Sequence, residues 1–185
     1  MRRCVLAGAV LSALLLAISP GVAEAATPGG GAAAGAAADR GSGSGWVPAP
    51  TAPIDLAAGV VCDFAVHIDA TVDEVVTKVL QTYPDGSIRR DAFKGALILR
   101  VTNVSTGKYY DADASGSAVV DHHPDGAVTW YVVGPVLVGS HVAGGNLSRG
   151  LYVIDGLYKL DVSSAHVVTL TMVRGRTDDV CARIG

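Results

Sequence analysis

Residues 60–69 read VVCDFAVHID, and this pattern decides the fold class that the sequence predicts. Every second residue of the segment is apolar, namely Val60, Cys62, Phe64, Val66 and Ile68. Most of the residues between them are polar. A repeat of two residues is typical of a β-strand with one face on a hydrophobic core and the other in water. We therefore expect the folded domain to begin with a strand that carries Cys62 on its core face.

The rest of the chain repeats this pattern between turns. Turn signals recur at Pro84-Asp85-Gly86, Ser105-Thr106-Gly107, Ala114-Ser115-Gly116, Pro124-Asp125-Gly126, Gly144-Gly145-Asn146 and Asp155-Gly156. Clean apolar and polar alternation begins at Leu97, Val128, Tyr158 and Val168. Short strands at nearly even spacing predict one antiparallel, meander-like all-β domain of about eight to eleven strands. A β-sandwich and a closed β-barrel are both compatible with this pattern.

Residues 71–82 fit two interpretations. Thr71-Val72-Asp73-Glu74 has the form of a helix capping box, and the valines that follow fit helical spacing. Most of the run is nevertheless β-branched, which lowers helix propensity and favours strands. It also leads directly into the Tyr83-Pro84-Asp85-Gly86 hairpin signal. We predict a strand.

The N-terminal residues are not expected to belong to the fold. Arg2 and Arg3 precede an apolar run over residues 5–18, and Ala23-Glu24-Ala25 supplies a signal-peptidase pattern, so residues 1–25 are predicted to be a secretory signal peptide. Residues 26–56 are rich in Gly, Ala, Ser and Pro and are predicted to be a disordered linker. Trp46 is the exception, and we expect it to dock on the domain. Residues 57–185 form the predicted all-β domain.

The cysteine count predicts one disulfide bond. Cys4 leaves with the signal peptide, so the mature chain keeps only Cys62 and Cys181. A pair of cysteines in an exported chain is more often a disulfide than a metal site. We therefore expect a Cys62–Cys181 bridge that joins the start of the domain to its last segment.

Composition bounds the location and the partners. The formal net charge is −3, and the charges are scattered, with no basic stripe. Nothing therefore favours nucleic acid as a partner, and no membrane insertion is expected after signal cleavage. The sequence predicts a secreted, extracellular protein. The linker would also allow the domain to be associated with the cell wall.

This layout resembles that of uncharacterised small exported β-domain proteins of actinobacteria. The resemblance rests on Cys62 in an alternating strand, the Tyr83–Gly86 hairpin, Val101-Thr102-Asn103 with Thr106-Gly107-Lys108, Asp125-Gly126, and the closing Cys181. These are strand and turn motifs. The resemblance therefore implies a fold and implies no reaction.

Aromatic and histidine residues supply the candidate ligand-facing positions. They are Tyr109, Tyr110, Trp130, Tyr131, His122 and His123. Aromatic side chains gathered on a sheet can form a platform or cleft for a ligand, although an aromatic on a strand more often packs in the core or against a neighbouring strand. Adjacent His122 and His123 would face opposite sides of a regular strand and could not share a metal ion.

The sequence gives little support for catalysis. There is no Gly-x-Ser-x-Gly elbow, and the neighbours Ser140 and His141 would point to opposite faces of a strand. We expect no cofactor and no metal. The function predicted is a secreted, non-catalytic module that binds a small molecule, a glycan or a partner protein. The alternatives are a secreted hydrolase or metal-dependent enzyme that uses His122, His123 or His141, and a purely structural envelope protein.

Overall fold

The computed structural model describes residues 45–185, which form twelve β-strands and one short helix. The strands are β1 Val47–Pro48, β2 Ile54–Leu56, β3 Val66–Asp73, β4 Val76–Thr82, β5 Ile88–Lys94, β6 Leu97–Asn103, β7 Tyr109–Asp113, β8 Ser117–His122, β9 Val128–Val133, β10 Val136–Ser140, β11 Gly150–Val162 and β12 Val168–Asp179. Helix α1, Val180–Ile184, ends the chain. The prediction of an all-β domain is confirmed, with one strand more than the expected range.

The strands form two antiparallel sheets. The large sheet has the order β1-β4-β5-β8-β9-β11-β12, and β10 follows β9 along the same edge of β11. The small sheet has the order β2-β3-β6-β7. The chain leaves the large sheet after β5, forms the β6–β7 hairpin in the small sheet, and returns as β8. The fold is therefore not a simple meander, and neither sheet closes into a barrel among the described residues.

Alternation along the strands produces one shared core. In β6 the residues Leu97, Leu99 and Val101 are buried while the residues between them are partly exposed, as the sequence predicts. The buried apolar side chains of both sheets belong to a single hydrophobic cluster. Burial of this apolar surface is the main favourable contribution to folding.

The opening segment differs from the predicted strand. Residues 60–65 form turns, and β3 begins only at Val66. The amide of Gly59 donates to the carbonyl of Cys62, and the amide of Val60 donates to that of Ala57, so these backbone groups close local turns instead of pairing with a strand. Cys62 is nevertheless buried, as expected.

Residues 71–82 contain strand and no helix, which confirms the prediction, but they belong to two strands. β3 ends at Asp73 and β4 begins at Val76. The side chain of Asp73 accepts a hydrogen bond from the amide of Val75, and the amide of Glu74 donates to the carbonyl of Ala96. The break transfers the chain from the small sheet to the large one.

The ordered domain reaches further towards the N-terminus than residue 57. β1 and β2 lie in the segment that the sequence assigns to the linker, and Ala49 and Leu56 are buried in the core. Trp46 docks as expected, with the Nζ atom of Lys94 4.5 Å from its ring centre. The predicted signal peptide and the linker up to residue 44 lie outside the described residues.

The two cysteines form the predicted bridge, with their Cα atoms 5.5 Å apart. Cys181 lies in α1, where Val180 and Ile184 are fully buried. The side-chain amide of Asn103 also donates to the carbonyl of Ile184 at 3.0 Å. The last segment is thus held by packing and hydrogen bonds as well as by the disulfide.

Candidate functional site

Two hairpin turns with the same sequence pattern lie side by side at one end of the large sheet. The β4–β5 turn contains Pro84-Asp85-Gly86 and the β8–β9 turn contains Pro124-Asp125-Gly126. In each turn the glycine amide donates to the carbonyl three residues earlier, and the aspartate accepts from the amide two residues later. Because β5 pairs with β8, these matching turns are neighbours in space. The glycines have φ values of +86° and +87°, which an L side chain rarely adopts.

A groove of about 520 Å³ lies between the two turns. Its lining residues are Tyr83, Pro84, Asp85, Ser87, Ile88, His122, His123, Pro124 and Gly126. The prolines, Ile88 and the ring of Tyr83 supply apolar walls, and His122 is the polar side chain that connects the groove to the interior. This volume lies within the range that small-ligand sites usually have.

His122 is fixed by a buried carboxylate. Its Nε2 atom lies 3.0 Å from Oδ1 of Asp91, whose residue is only 4% exposed. The hydroxyl of Tyr83 donates to the backbone carbonyl of His122 at 2.8 Å. Loss of hydration raises the pKa of Asp91 above its ordinary value, and the hydrogen bond from His122 opposes this shift.

The hydrogen bond to Asp91 leaves the other ring nitrogen of His122 available. If Asp91 is ionised, it accepts a hydrogen bond from Nε2–H, and a neutral ring of this tautomer carries a lone pair on Nδ1. Among residues 45–185 no group bonds to this Nδ1 atom, and the side chain of His122 is partly exposed. The ring can therefore accept one hydrogen bond from a ligand in the groove.

His123 points to the opposite face of the sheet. Its Nε2 atom lies 3.1 Å from the hydroxyl oxygen of Thr129, which in turn donates to Asp161. Lys159 completes this row by pairing with Asp161. The two histidines therefore do not converge. In the part of the chain that the structure describes, no group of three or more His, Cys, Asp or Glu side chains is close enough to hold a metal ion.

An ion pair on the outer face fixes the two strands beside the groove. The guanidinium of Arg90 on β5 donates two hydrogen bonds to the carboxylate of Asp121 on β8. These bonds lower the pKa of Asp121. A paired, two-bond contact of this kind restricts both side chains. β5 and β8 are therefore linked by side chains on both faces of the sheet, by Arg90 and Asp121 on the outer face and by Asp91 and His122 on the other.

The aromatic residues predicted to face a ligand do not come together. Trp130 is 3% exposed and stacks on Phe93 in the core, so it is not available to a ligand. Tyr131 is on the opposite, outer face because adjacent strand residues alternate. Tyr109 and Tyr110 belong to the small sheet, where Tyr109 is exposed beneath Arg100 and Tyr110 is half-buried beside Asp178.

The neighbours Ser140 and His141 are not joined in a catalytic pair. Ser140 is buried, and its hydroxyl donates to the carbonyl of Leu147. The Nδ1 atom of His141 is buried without a hydrogen-bond partner among the described residues. No hydroxyl or thiol bonds to the ring of His122 in the same region. The described residues thus contain no nucleophile activated by either histidine.

Two groups of the site, Asp91 and Tyr83, were not singled out from the sequence. Asp91 gives one detectable signal, since it shares a strand face with Phe93 in the run Arg90-Asp91-Ala92-Phe93. A charged residue on an apolar face is unusual unless it is paired. Its partner, His122, lies on another strand, so the sequence alone does not identify the pair.

The chain matches no protein-family model, no curated protein and no solved structure. In residues 45–185, no helix has the length and apolar character needed to cross a membrane. The functional proposal therefore rests on the geometry of the groove.

Proposed function

We propose that this protein is an exported, non-catalytic binding module built on an antiparallel β-sandwich. Its ligand is a small hydroxylated molecule, such as the end of a glycan, held in the groove between the Pro84 and Pro124 turns. The observation that carries this proposal is His122, which lines the groove, is held in place by the buried Asp91, and has no hydrogen-bond partner at Nδ1 among residues 45–185.

The chemistry of the lining favours a sugar-like ligand. A neutral imidazole nitrogen accepts a hydrogen bond from a hydroxyl group, and the buried carboxylate keeps the ring in the orientation that presents this nitrogen. Pro84, Pro124 and the ring of Tyr83 offer apolar surface for the C–H face of a pyranose. A groove with apolar walls and few fixed polar groups is the usual form of a small-ligand site.

The sequence and the disulfide support export. The N-terminal 25 residues have the features of a secretory signal, and disulfides persist in oxidising compartments. Among residues 45–185, no hydroxyl or thiol bonds to the ring of His122, and no group of three His, Cys, Asp or Glu side chains could hold a metal ion. Binding without chemistry needs only the fixed imidazole and the apolar walls.

Saturation-transfer NMR on the disulfide-intact protein tests the proposal, with maltose, cellobiose and diacetylchitobiose as probes. We expect at least one of these sugars to receive saturation, and His122→Ala to weaken its binding about tenfold, which corresponds to about 1.4 kcal/mol. His67→Ala is the matched control, because His67 pairs with Asp55 on the small sheet. The proposal is wrong if none of the probes binds, or if both variants bind as wild type does.

A further inference from the structure

β12 is a long edge strand of the large sheet. It spans twelve residues and, among the described strands, pairs only with β11, with one register shift that leaves Val173 without a paired residue. Its other edge carries backbone N–H and C=O groups that no strand within residues 45–185 satisfies. Edges of this kind readily accept another strand, and proteins usually cover or shorten them.

Asn146 covers the first part of this edge. Its side-chain nitrogen donates to the carbonyl of Leu170 at 2.7 Å, and its side-chain oxygen accepts from the amide of Leu170 at 2.7 Å. The backbone groups of Leu170 therefore point away from β11, and the amide of Asn146 replaces a neighbouring strand. By the alternation of a strand, the backbone groups of Met172 point the same way. They have no partner among the described residues.

The uncovered part of the edge is cationic. Arg174 is exposed and has no ion-pair partner among residues 45–185. Arg176 has a side chain that is 80% exposed and lies 3.4 Å from Asp155. Gly175 separates the two arginines, and these three residues, together with Asp155 and Gly156, line a shallow cavity of about 400 Å³. Two guanidinium groups thus flank a stretch of accessible backbone.

We propose that residues 172–177 of β12 accept an extended acidic peptide segment of a partner protein as an additional strand. Main-chain hydrogen bonds to the open edge supply affinity, as in other cases of strand addition, and carboxylates paired with Arg174 and Arg176 supply specificity. A second copy of this chain fits less well. Antiparallel self-pairing centred on Gly175 would place Arg174 opposite Arg176, and like charges directly opposite are destabilising.

This site is separate from the proposed sugar groove. The groove lies between the β4–β5 and β8–β9 turns, whereas the free edge belongs to β12. The failure of one proposal would therefore not contradict the other.

Fluorescence anisotropy tests the inference with a labelled peptide of alternating glutamate and valine, added to the disulfide-intact protein. A peptide of alternating lysine and valine is the matched control. We expect only the acidic peptide to bind, and Arg174→Glu with Arg176→Glu to weaken its binding about tenfold or more, since several exposed charge contacts reverse together. The same charge reversal on β5, Arg89→Glu with Lys94→Glu, should change binding less than about twofold at physiological salt.

Met172→Pro separates backbone pairing from charge. Proline removes one outward N–H and is tolerated on an edge strand, so the variant should remain folded while losing the peptide, and its melting temperature should fall because the Met172 side chain no longer packs against the core. Equal binding of the acidic peptide by wild type and the Arg174→Glu, Arg176→Glu variant would overturn the proposal. Equal binding of the lysine peptide would also overturn it. A dimer in sedimentation equilibrium that Met172→Pro dissociates would do the same, because a second copy of the chain would then occupy the edge.

Discussion

Removal of the disulfide should weaken the fold without abolishing it. The bridge joins Cys62 to Cys181 across 119 positions, nearly the whole described domain. Replacing both cysteines with alanine avoids placing an unpaired hydroxyl at the buried Cys62. On the chain-entropy relation, freeing a loop of this length costs about 4–5 kcal/mol through the unfolded state.

The folded state, in contrast, keeps most of its contacts. Val180 and Ile184 remain buried, and Asn103 and Lys108 still donate to the carbonyls of the last two residues. We therefore expect a folded double variant whose melting temperature falls by about 13–17 °C, given the usual entropy of unfolding for a domain of this size.

Urea and thermal unfolding of three samples measure this effect. They are the oxidised wild type, the wild type with reductant, and the Cys62→Ala, Cys181→Ala variant. Reductant and the double variant should produce the same shift, and reductant should not affect the variant. A midpoint unchanged within about two degrees would refute the entropic argument. A variant unfolded in the absence of denaturant would refute the claim that α1 is anchored by its own contacts.

Three further predictions concern stability. Burial raises the pKa of Asp91, so the folded protein binds the proton of this carboxyl more tightly than the unfolded chain does. Above the folded pKa, the ionised carboxylate therefore lowers the free energy of unfolding. This loss of stability disappears as the pH falls towards 3.8, the ordinary pKa of the group. Asp91→Asn should therefore flatten that part of the pH dependence, measured by urea midpoints. Gly156→Ala should lower the free energy of unfolding by more than about 3 kcal/mol, because a Cβ there would lie 2.1 Å from the carbonyl oxygen of Arg174. Gly59 also has a positive φ but has open space around it, so Gly59→Ala should lower the same quantity by about 1–2 kcal/mol in the same assay. Asn146→Ala should cost about 1–2 kcal/mol and speed hydrogen exchange at the Leu170 amide; unchanged exchange would mean that Asn146 does not protect the edge.

Local pattern predicted much of the fold. The alternation at Leu97 and at Val128 assigned both the strands and their buried faces, and β-branched composition assigned residues 71–82 correctly. The cysteine count gave the bridge. Each of these signals lies within a few residues of the feature it predicts, or leaves only one partner to choose.

Features set by distant partners were missed. Residues 60–65 alternate like a strand, yet their backbone closes turns that bring Cys62 to α1. β1 is only two residues long, and it forms because β4 lies beside it, which no local propensity indicates. The division of the strands between two sheets depends on which hairpins pair, and the hydrophobic pattern is the same in either case.

The site shows the same limit. The sequence singled out His122 because histidine pairs suggest chemistry, but its significance comes from Asp91 on another strand and from Tyr83 at the neighbouring turn. Trp130 and Tyr131 were grouped as ligand-facing, although alternation alone places them on opposite faces. Trp130 is the residue that faces the core, where it stacks on Phe93.

Amide chemical-shift mapping by NMR, with the sugar that gives the strongest saturation transfer, tests the proposed groove most directly. The groove predicts that the largest shifts occur at Tyr83, Ser87, His122, His123 and Gly126, and that they disappear in His122→Ala. Residues 172–177 should not respond to the sugar. Shifts confined to another surface, such as the outer face around Tyr109, or shifts that persist in His122→Ala, would contradict binding between the two turns.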